Sequence, residues 1–312
     1  MSKKLAILMV VHNEKQNFEM LFNSLINQTY RDFKIFFIDN NSTDGSVSFA
    51  KELNKKYSFE IEYIELLEET GYTGGNNIGA QKALEQGYEY LFIINNDIEL
   101  EKNCIWELIG LIESKNNAAA VGPIQFYWNN DKKENKIQAY GGRVDFKKQI
   151  KIGFLTGSIY ETVCPNEIDK VDLIPGAALM LRGEFVKKYG LFDSDFFIYN
   201  DELDLAYKMK NAGWDCYVTK KAKVWHNHDF SSKNISGYKF MYYYMMRNRI
   251  LYYYKYKFYP QLIIDIFLQV VTLPIKFKMF FKIGSISIVK YYYSGLLDGL
   301  LGKKGISDKS FD

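Results

Sequence analysis

Three apolar runs in the N-terminal third of the chain each stop abruptly at a cluster of polar side chains. "KLAILMVV" (Lys4–Val11) gives way to His12-Asn13-Glu14. "FKIFFIDNNS" (Phe33–Ser42) turns polar from Asp39 onward. "YLFIINNDIEL" (Tyr90–Leu100) breaks at Asn95-Asn96-Asp97. Continuous runs of Val, Ile, Leu and Phe suit strands covered on both faces, the strands of parallel sheets. The segments between them have helical spacing: Phe18, Leu21, Phe22, Leu25 and Ile26 share one face, as do Val47, Ala50 and Leu53. "EIEYIEL" (Glu60–Leu66) reads as a further strand, and Ile105, Leu108, Ile109 and Ile112 line a later helix. The order is β-α-β-α, which predicts an α/β chain with a mostly parallel sheet, right-handed crossovers and flanking helices. Ligands of such sheets sit outside the carboxyl ends of the strands. The polar clusters are therefore expected on one rim.

Local signals refine this. Asn13 and Gln16 have capping-box spacing. Gly71 to Gly79 reads as a Gly/Asn-rich loop opening a helix to about Gln86, with Gly87 as its C-cap. Residues 125–170 read as hairpin and loop material with a turn at Gly141-Gly142. Val171–Gly190 predicts a strand, a small-residue turn and a short helix. Another helix follows "DSDFFIYNDELDLAYKMKNAGW", and residues 237–257 form an aromatic, basic helix.

Composition excludes several classes. The 312 residues are 47% hydrophobic and 25% charged, ordinary for a chain with a sizeable core. A net charge of +3 without a basic stripe gives no reason to expect nucleic acid. Cys104, Cys164 and Cys216 are far apart and odd in number, without metal spacing or a disulfide framework, which favours a reducing compartment. The short N-terminal apolar run lacks a small-residue cleavage site and reads as the first strand.

Four stretches carry candidate chemistry. Asn95-Asn96-Asp97 alone suits a turn. Beside the other polar strand ends it makes an oxygen-only cluster suited to a hard cation carrying phosphates, Mg²⁺ or Mn²⁺, with Asp97 as the single carboxylate. "ETGYTGGNNIGAQKA" (Glu69–Ala83) is either a flexible loop or a helix N-terminus that binds anions, and it matches neither the dinucleotide fingerprint nor the Walker loop. Asp201, Glu202 and Asp204 crowd one helix start. Capping by acids stabilises by roughly 0.3–1 kcal/mol each, whereas mutual repulsion raises pKa values and suits a general base. "KVWHNHDF" holds His226 and His228, and Asn227 between them predicts that only one faces a site, where it would complete a Mn²⁺ shell.

In order and spacing, "VVHNE", "FFIDNNSTDGS", "GYTGGNNIGA", "INNDIEL", "IPGAALMLRGEFVKKYGLFDSDFFIYNDELDLAYKMKNAGW", "VWHNH" and "YYYMMRNRILYYYK" resemble the inverting family 2 nucleotide-sugar glycosyltransferases of the GT-A fold. The likeness is to the bacterial rhamnosyltransferase, O-antigen and cell-wall polysaccharide branch, over roughly residues 5–257. It implies a metal-dependent enzyme moving a sugar from a UDP- or dTDP-sugar to a hydroxyl of a glycan or polyprenyl-linked glycan. It implies a GT-A domain over residues 1–257, with a nucleotide-binding half (1–100) and an acceptor half (101–257). His12 and Asn13 would border the nucleotide, Asp39 would accept the N3–H of a uracil or thymine ring with Asn41 nearby, and Gly75 and Asn76 would line the ribose and diphosphate, with Asn96 also on the donor side. Asn95 and Asp97 occupy the ends of the family's Asp-x-Asp motif, and His226 would be a further metal ligand. The family's Glu-Asp base motif falls on Asp201-Glu202 in reversed order, which makes Glu202 the first choice of base and Asp201 the second. Asn95, where many relatives have Asp, lowers the negative charge at the metal.

Two other functions compete. A nucleotidyltransferase would want a Gly-rich, basic loop after the first strand, where "VVHNEKQN" stands. A non-catalytic nucleotide-sugar-binding module in a membrane complex would not need Asp97, Glu202 and His226 together. The tail, 258–312, reads as a helical extension. It places Leu262, Ile263, Ile266, Phe267, Val270 and Val271 on one side and Asp265, Gln269 and Thr272 on the other, with Lys276, Lys278 and Lys282 following. Its apolar runs are shorter than the ~20 residues of a membrane span. It is expected either to pack on the catalytic domain or on a second copy as a homodimer contact, or to lie on the inner face of the cell membrane as the peripheral anchor of a cytoplasmic protein.

Overall fold

A computed structural model describes residues 3–129, 132–163, 165–227, 234–282 and 285–311. The apolar runs form β1 (Lys3–Val11), β2 (Phe33–Asp39), β3 (Ile61–Glu65) and β4 (Tyr88–Ile94). Helices α1 (Phe18–Ile26), α2 (Ser46–Tyr57), α3 (Gly71–Glu85) and α4 (Cys104–Ser114) alternate with them. β1 pairs in parallel with β2 and with β4, and β2 with β3. Side chains of β1 alternate between two cores. Leu5, Ile7, Met9 and Val11 meet α1, α2 and α4, whereas Ala6 and Leu8 meet α3. Burial on both faces is why this strand has no polar alternation.

The second half extends the same sheet. β5 (Ile98–Leu100), β6 (Ala118–Asn129), β7 (Lys132–Ala139), β10 (Ile168–Val171), β11 (Ala178–Arg182) and β12 (Asp215–His226) join it, while β8 (Gly142–Asp145) and β9 (Ile150–Gly153) make a separate hairpin. The order is β10-β12-β6-β11-β4-β1-β2-β3, with β5 on β12 and β7 on β6. Helices α5 (Gly183–Tyr189), α6 (Asp201–Asn211), α7 (Ile235–Lys255), α8 (Tyr259–Val271), α9 (Leu273–Lys282) and α10 (Ser287–Leu300) follow.

The break expected inside Tyr90–Leu100 is present: β4 ends at Ile94, and Ile98–Leu100 resumes as β5, which pairs antiparallel with β12, Ile98 opposite His226. Two local expectations are corrected. The capping box does not form. Asn13 takes a left-handed φ of 56° and its Oδ1 accepts from the N–H groups of Thr43 (2.8 Å) and Asp44 (3.2 Å), while a 3-10 turn, Lys15–Asn17, leads into α1. Gly71–Gly79 is not a loop but the first turns of α3. Its small residues let the helix lie on the sheet: a Cβ at Gly79 would stand 2.7 Å from Ile38 Cδ1.

The tail packs through α10 on α7, where a Cβ on Gly295 would come 2.3 Å from Tyr243 O. Gly295→Ala should therefore destabilise the fold by about 1–3 kcal/mol despite alanine's better helix propensity. Gly110 on α4 has open space around its Cα, so Gly110→Ala should be neutral or stabilise by up to about 1 kcal/mol. Denaturant unfolding of the two variants checks this, and equal effects would mean that α7 and α10 do not touch closely.

Candidate active site

The ends of β1, β2 and β4 meet where the strand order reverses about β1. Val11 stands in register with Asp39, and Asn40 N donates to Val11 O at 2.8 Å. Asp39 is buried. Its Oδ2 accepts from Ser42 N at 3.1 Å, and its Oδ1, also buried, meets no hydrogen-bond donor among the described residues. A buried acceptor without a donor is costly, so this atom fits a ligand N–H. Asn41 is exposed with a left-handed φ of 63°. His12 is exposed and held by two contacts: Nδ1–H donates to Asn40 O (2.9 Å) and Nε2 accepts from Asn13 Nδ2 (3.1 Å). Asn13 spends its carbonyl on the loop after β2, so its first role is to join two strand ends.

α3 brings Gly75 and Asn76 near this rim in different ways. A Cβ at Gly75 would stand 2.8 Å from Val10 Cγ1, so the glycine seats the helix on β1. Asn76 is fully buried, its Nδ2 donating to Tyr72 O (2.9 Å) while Oδ1 is buried without a donor among the described residues. The anion-site reading of the helix start is corrected in part. Thr73 N–H donates to Phe197 O at 3.1 Å and is not presented to a phosphate. Asn40, absent from the expectations, ties the start of α3 to β2, since its Oδ1 accepts from Thr70 N and Thr70 Oγ1.

The break after β4 has a consequence that spacing alone does not reveal. With β5 paired to β12, Asp97 Oδ1 stands 3.2 Å from His226 Nε2, both side chains mostly buried. His226 Nδ1 is 2.8 Å from Gln138 Oε1 and so carries its proton there, which turns the Nε2 lone pair toward the carboxylate. Neighbouring donors on an octahedral Mg²⁺ stand about 3 Å apart, so the pair fits two ligands of one ion. No group of three or more His, Cys, Asp or Glu side chains suited to a metal occurs among the described residues. Water and a ligand's oxygens would have to fill the shell. Asn95 ends β4 with its N–H on Ala177 O (2.9 Å), and Asn96 is buried with its Nδ2 3.5 Å from Glu14 O. His228 lies outside the described residues, as does Cys164.

The three acids of α6 have separate surroundings. Glu202 is the accessible one: Oε1 accepts from Gly176 N at 2.6 Å and Oε2 is 3.9 Å from Lys151 Nζ on β9. Asp201 is buried behind it, and burial, then the charge of Glu202, pushes its carboxyl up to about 7. Asp204 is fully buried and anchors α6 to α7, accepting from Tyr256 OH (2.8 Å) and pairing with Lys255 (2.7 Å). The crowding therefore serves both anchoring and pKa shift.

The segment ahead of α6 is strained and tied down. Phe197, Tyr199 and Asn200 all have φ of 65°. Asn248 Nδ2 lies 2.8, 2.7 and 2.9 Å from the carbonyls of Phe196, Ile198 and Tyr199. Arg247, almost fully buried, donates to Phe196 O (3.1 Å) and Gly305 O (2.6 Å). Neither residue had a role assigned from sequence, although an Arg-Asn pair inside an aromatic helix was a visible anomaly. Gly176 and Lys151 gave no such signal.

Solved structures with the same architecture include GalNAc-T7 with UDP, GalNAc and Mn²⁺ (17% identity, TM-score 0.60, 80% of this chain and 51% of that one) and S. aureus TarS 1–349 (13% identity, TM-score 0.53, 80% and 65%). A curated relative is the low-salt glycan biosynthesis hexosyltransferase Agl10 of Haloferax volcanii, 23% identical over 206 residues, 65% of this chain. The chain spans 64% of that relative's length and about half to two thirds of the solved ones. The pattern described as glycosyl transferase family 2 matches residues 6–169, more than half of the chain, so this protein belongs to glycosyl transferase family 2 and has the GT-A fold.

Proposed function

We propose that the chain is a divalent-metal-dependent inverting glycosyltransferase that moves a sugar from a UDP- or dTDP-sugar, a rhamnose or a hexose, to a hydroxyl of a glycan or lipid-linked glycan. The observation that carries this is the meeting of Asp97 with His226 at the same sheet rim as the buried acceptor Oδ1 of Asp39. The name of the archaeal relative, a hexosyltransferase, and the UDP and Mn²⁺ of the GalNAc-T7 structure support the substrate class. Asp39 would read the N3–H of the base, with His12, Asn13 and Asn41 at the base edge and Gly75, Asn76 and Asn96 deeper on the donor side. Asp97 and His226, with Asn95 close by, would hold Mn²⁺ or Mg²⁺, which when bound neutralises charge on the leaving diphosphate.

Glu202 is our base. It is the acid of the trio open to the cleft, and the Gly176 N–H, with Lys151 nearby, holds its carboxylate in place. It would take the proton of the acceptor hydroxyl as that oxygen attacks the anomeric carbon opposite the leaving phosphate, a single displacement that inverts configuration. Asp201, buried behind it and raised to about 7, would hold its proton in a large share of molecules near neutral pH, about half at pH 7, and so lessen the adjacent charge on Glu202.

Release of UDP from UDP-sugars in the presence of Mn²⁺ tests the reading. Glu202→Gln should slow turnover by about 10²–10⁴-fold with donor affinity nearly unchanged. If Glu202→Gln stays active and Asp201→Asn is dead, the two roles are exchanged. Asp97→Ala should abolish release while its thermal unfolding stays like the wild type's; full activity in Asp97→Ala, with Mn²⁺ or with chelator, contradicts the metal role.

Asp201 also predicts a pH effect. Its folded pKa, about 7, lies above the ordinary 3.8, so between those values the folded chain holds a proton that the unfolded chain has released. Its contribution to stability is complete below that window and falls as pH rises through it. Asp201→Asn should remove this part of the slope in a series of melting temperatures; parallel curves for the two proteins would mean that Asp201 titrates normally.

A further inference from the structure

We propose that the outward face of α8 and α9 is a docking surface for an anionic lipid bilayer, with both helices lying in the plane of the membrane interface. The observation is an inversion of the ordinary helix pattern. On α8 the polar residues Asp265 and Gln269 face the protein, while Ile263, Phe267 and Val270 are 67%, 65% and 63% exposed. The apolar face continues on α9 with Ile275 at 67% and Phe281 at 73%.

The inward polar face is built, not incidental. Asp265 takes a two-pronged ion pair from Arg249 of α7, Nε to Oδ2 at 2.8 Å and Nη2 to Oδ1 at 3.0 Å. Gln269 accepts from Tyr292 OH (2.6 Å) through Oε1 and from Tyr293 OH (2.6 Å) through its backbone carbonyl, both from α10. These contacts fix the rotation of α8 and so hold the apolar face outward. A contiguous exposed apolar surface of this kind marks an interaction site.

Charge selects the occupant. From Ile266 to Leu297 the sequence has Lys276, Lys278, Lys282 and Lys290 and no Asp or Glu; Lys276 turns inward onto Gln269 and Thr272, whereas Lys278, Lys282 and Lys290 are exposed. Lysines interleaved with large apolar residues match acyl chains below an anionic headgroup layer, such as that of a cytoplasmic leaflet. A two-fold copy would set the same cations against each other with no acid on the patch to answer them. A membrane span does not arise, since no helix among the described residues is long and apolar enough to cross a bilayer.

The face is also joined to the acceptor side of the cleft. Arg249 donates to Lys148 O (3.2 Å), Gln149 Nε2 donates to Arg249 O (2.9 Å), and Asn200, next to Asp201, donates to Gln149 Oε1 (3.2 Å). A docked chain would hold its base end on the same framework as the bilayer contact, suited to an acceptor carried by a lipid. That last consequence rests on the reading under Proposed function.

Flotation of the full chain with vesicles of phosphatidylcholine alone, or with about 30% phosphatidylglycerol, tests the proposal, with UDP–Mn²⁺ calorimetry on the same samples. The expected result is flotation with the anionic vesicles only, weakened by high salt, and weakened roughly tenfold or more in Phe267→Glu/Phe281→Glu, with UDP affinity unchanged in that variant. Absence of flotation with either vesicle overturns the proposal, as does equal flotation with both. A dimer in solution that the double variant dissociates, without vesicle binding, overturns it in favour of a second copy. UDP binding that persists in those cases leaves the donor-site reading standing, and its absence from the wild type refutes that reading separately.

Discussion

One knot of carbonyls holds this molecule's two sides together. Phe196 to Asn200 runs in a backbone path with repeated left-handed residues that no local preference would choose. It persists because partners from two other elements claim its carbonyls. The Asn248 amide of α7 takes those of Phe196, Ile198 and Tyr199, and Thr73, at the start of α3, donates its N–H and its hydroxyl to Phe197 O. Leaving such buried carbonyls unmet would cost about 1–3 kcal/mol each. The arrangement fixes where α6 begins, and α6 begins at Asp201 and Glu202. Helix α3 and the acid pair at the start of α6 are therefore positioned by the same few hydrogen bonds, with α7 as the strut.

The same economy appears in the electrostatics. Asp204 is answered by Lys255 and Tyr256 and so anchors. Glu202 is answered by one N–H and, at longer range, by Lys151, and keeps an open side. Asp201 is answered least and is pushed up to about 7 by burial and by its neighbour's charge. Three adjacent acids thus differ in what surrounds them, not in their own chemistry.

Much of this was legible in the sequence. Apolar runs without alternation gave β1, β2 and β4, because burial on both faces removes the polar residues that would mark one side. Their polar ends pointed to one rim, because a parallel sheet brings those ends together. The break inside Tyr90–Leu100 was visible in its polar residues, but the short Ile98–Leu100 gave no sign that it resumes as a separate strand. Only the partner, β12, reveals that the chain has changed neighbours and brought Asp97 to His226. Gly71–Gly79 was misread as a loop because glycine is a weak helix former, whereas here it lets α3 approach the sheet. Asn13 was read as a cap from its spacing, yet a long-range contact with the loop after β2 outcompeted the local one. The role of Asn248 was not legible, although its place in an aromatic helix was odd, because it satisfies carbonyls about fifty residues away in sequence, which spacing rules do not register.

The central claim is that the strand ends form a nucleoside-diphosphate site completed by a divalent cation at Asp97 and His226. Calorimetric titration of UDP into the wild-type chain, once with Mn²⁺ and once with excess EDTA, tests it most directly. The account predicts one binding site per chain with Mn²⁺ and affinity at least about tenfold weaker in EDTA. No binding in either condition, or the same affinity in both, would contradict it.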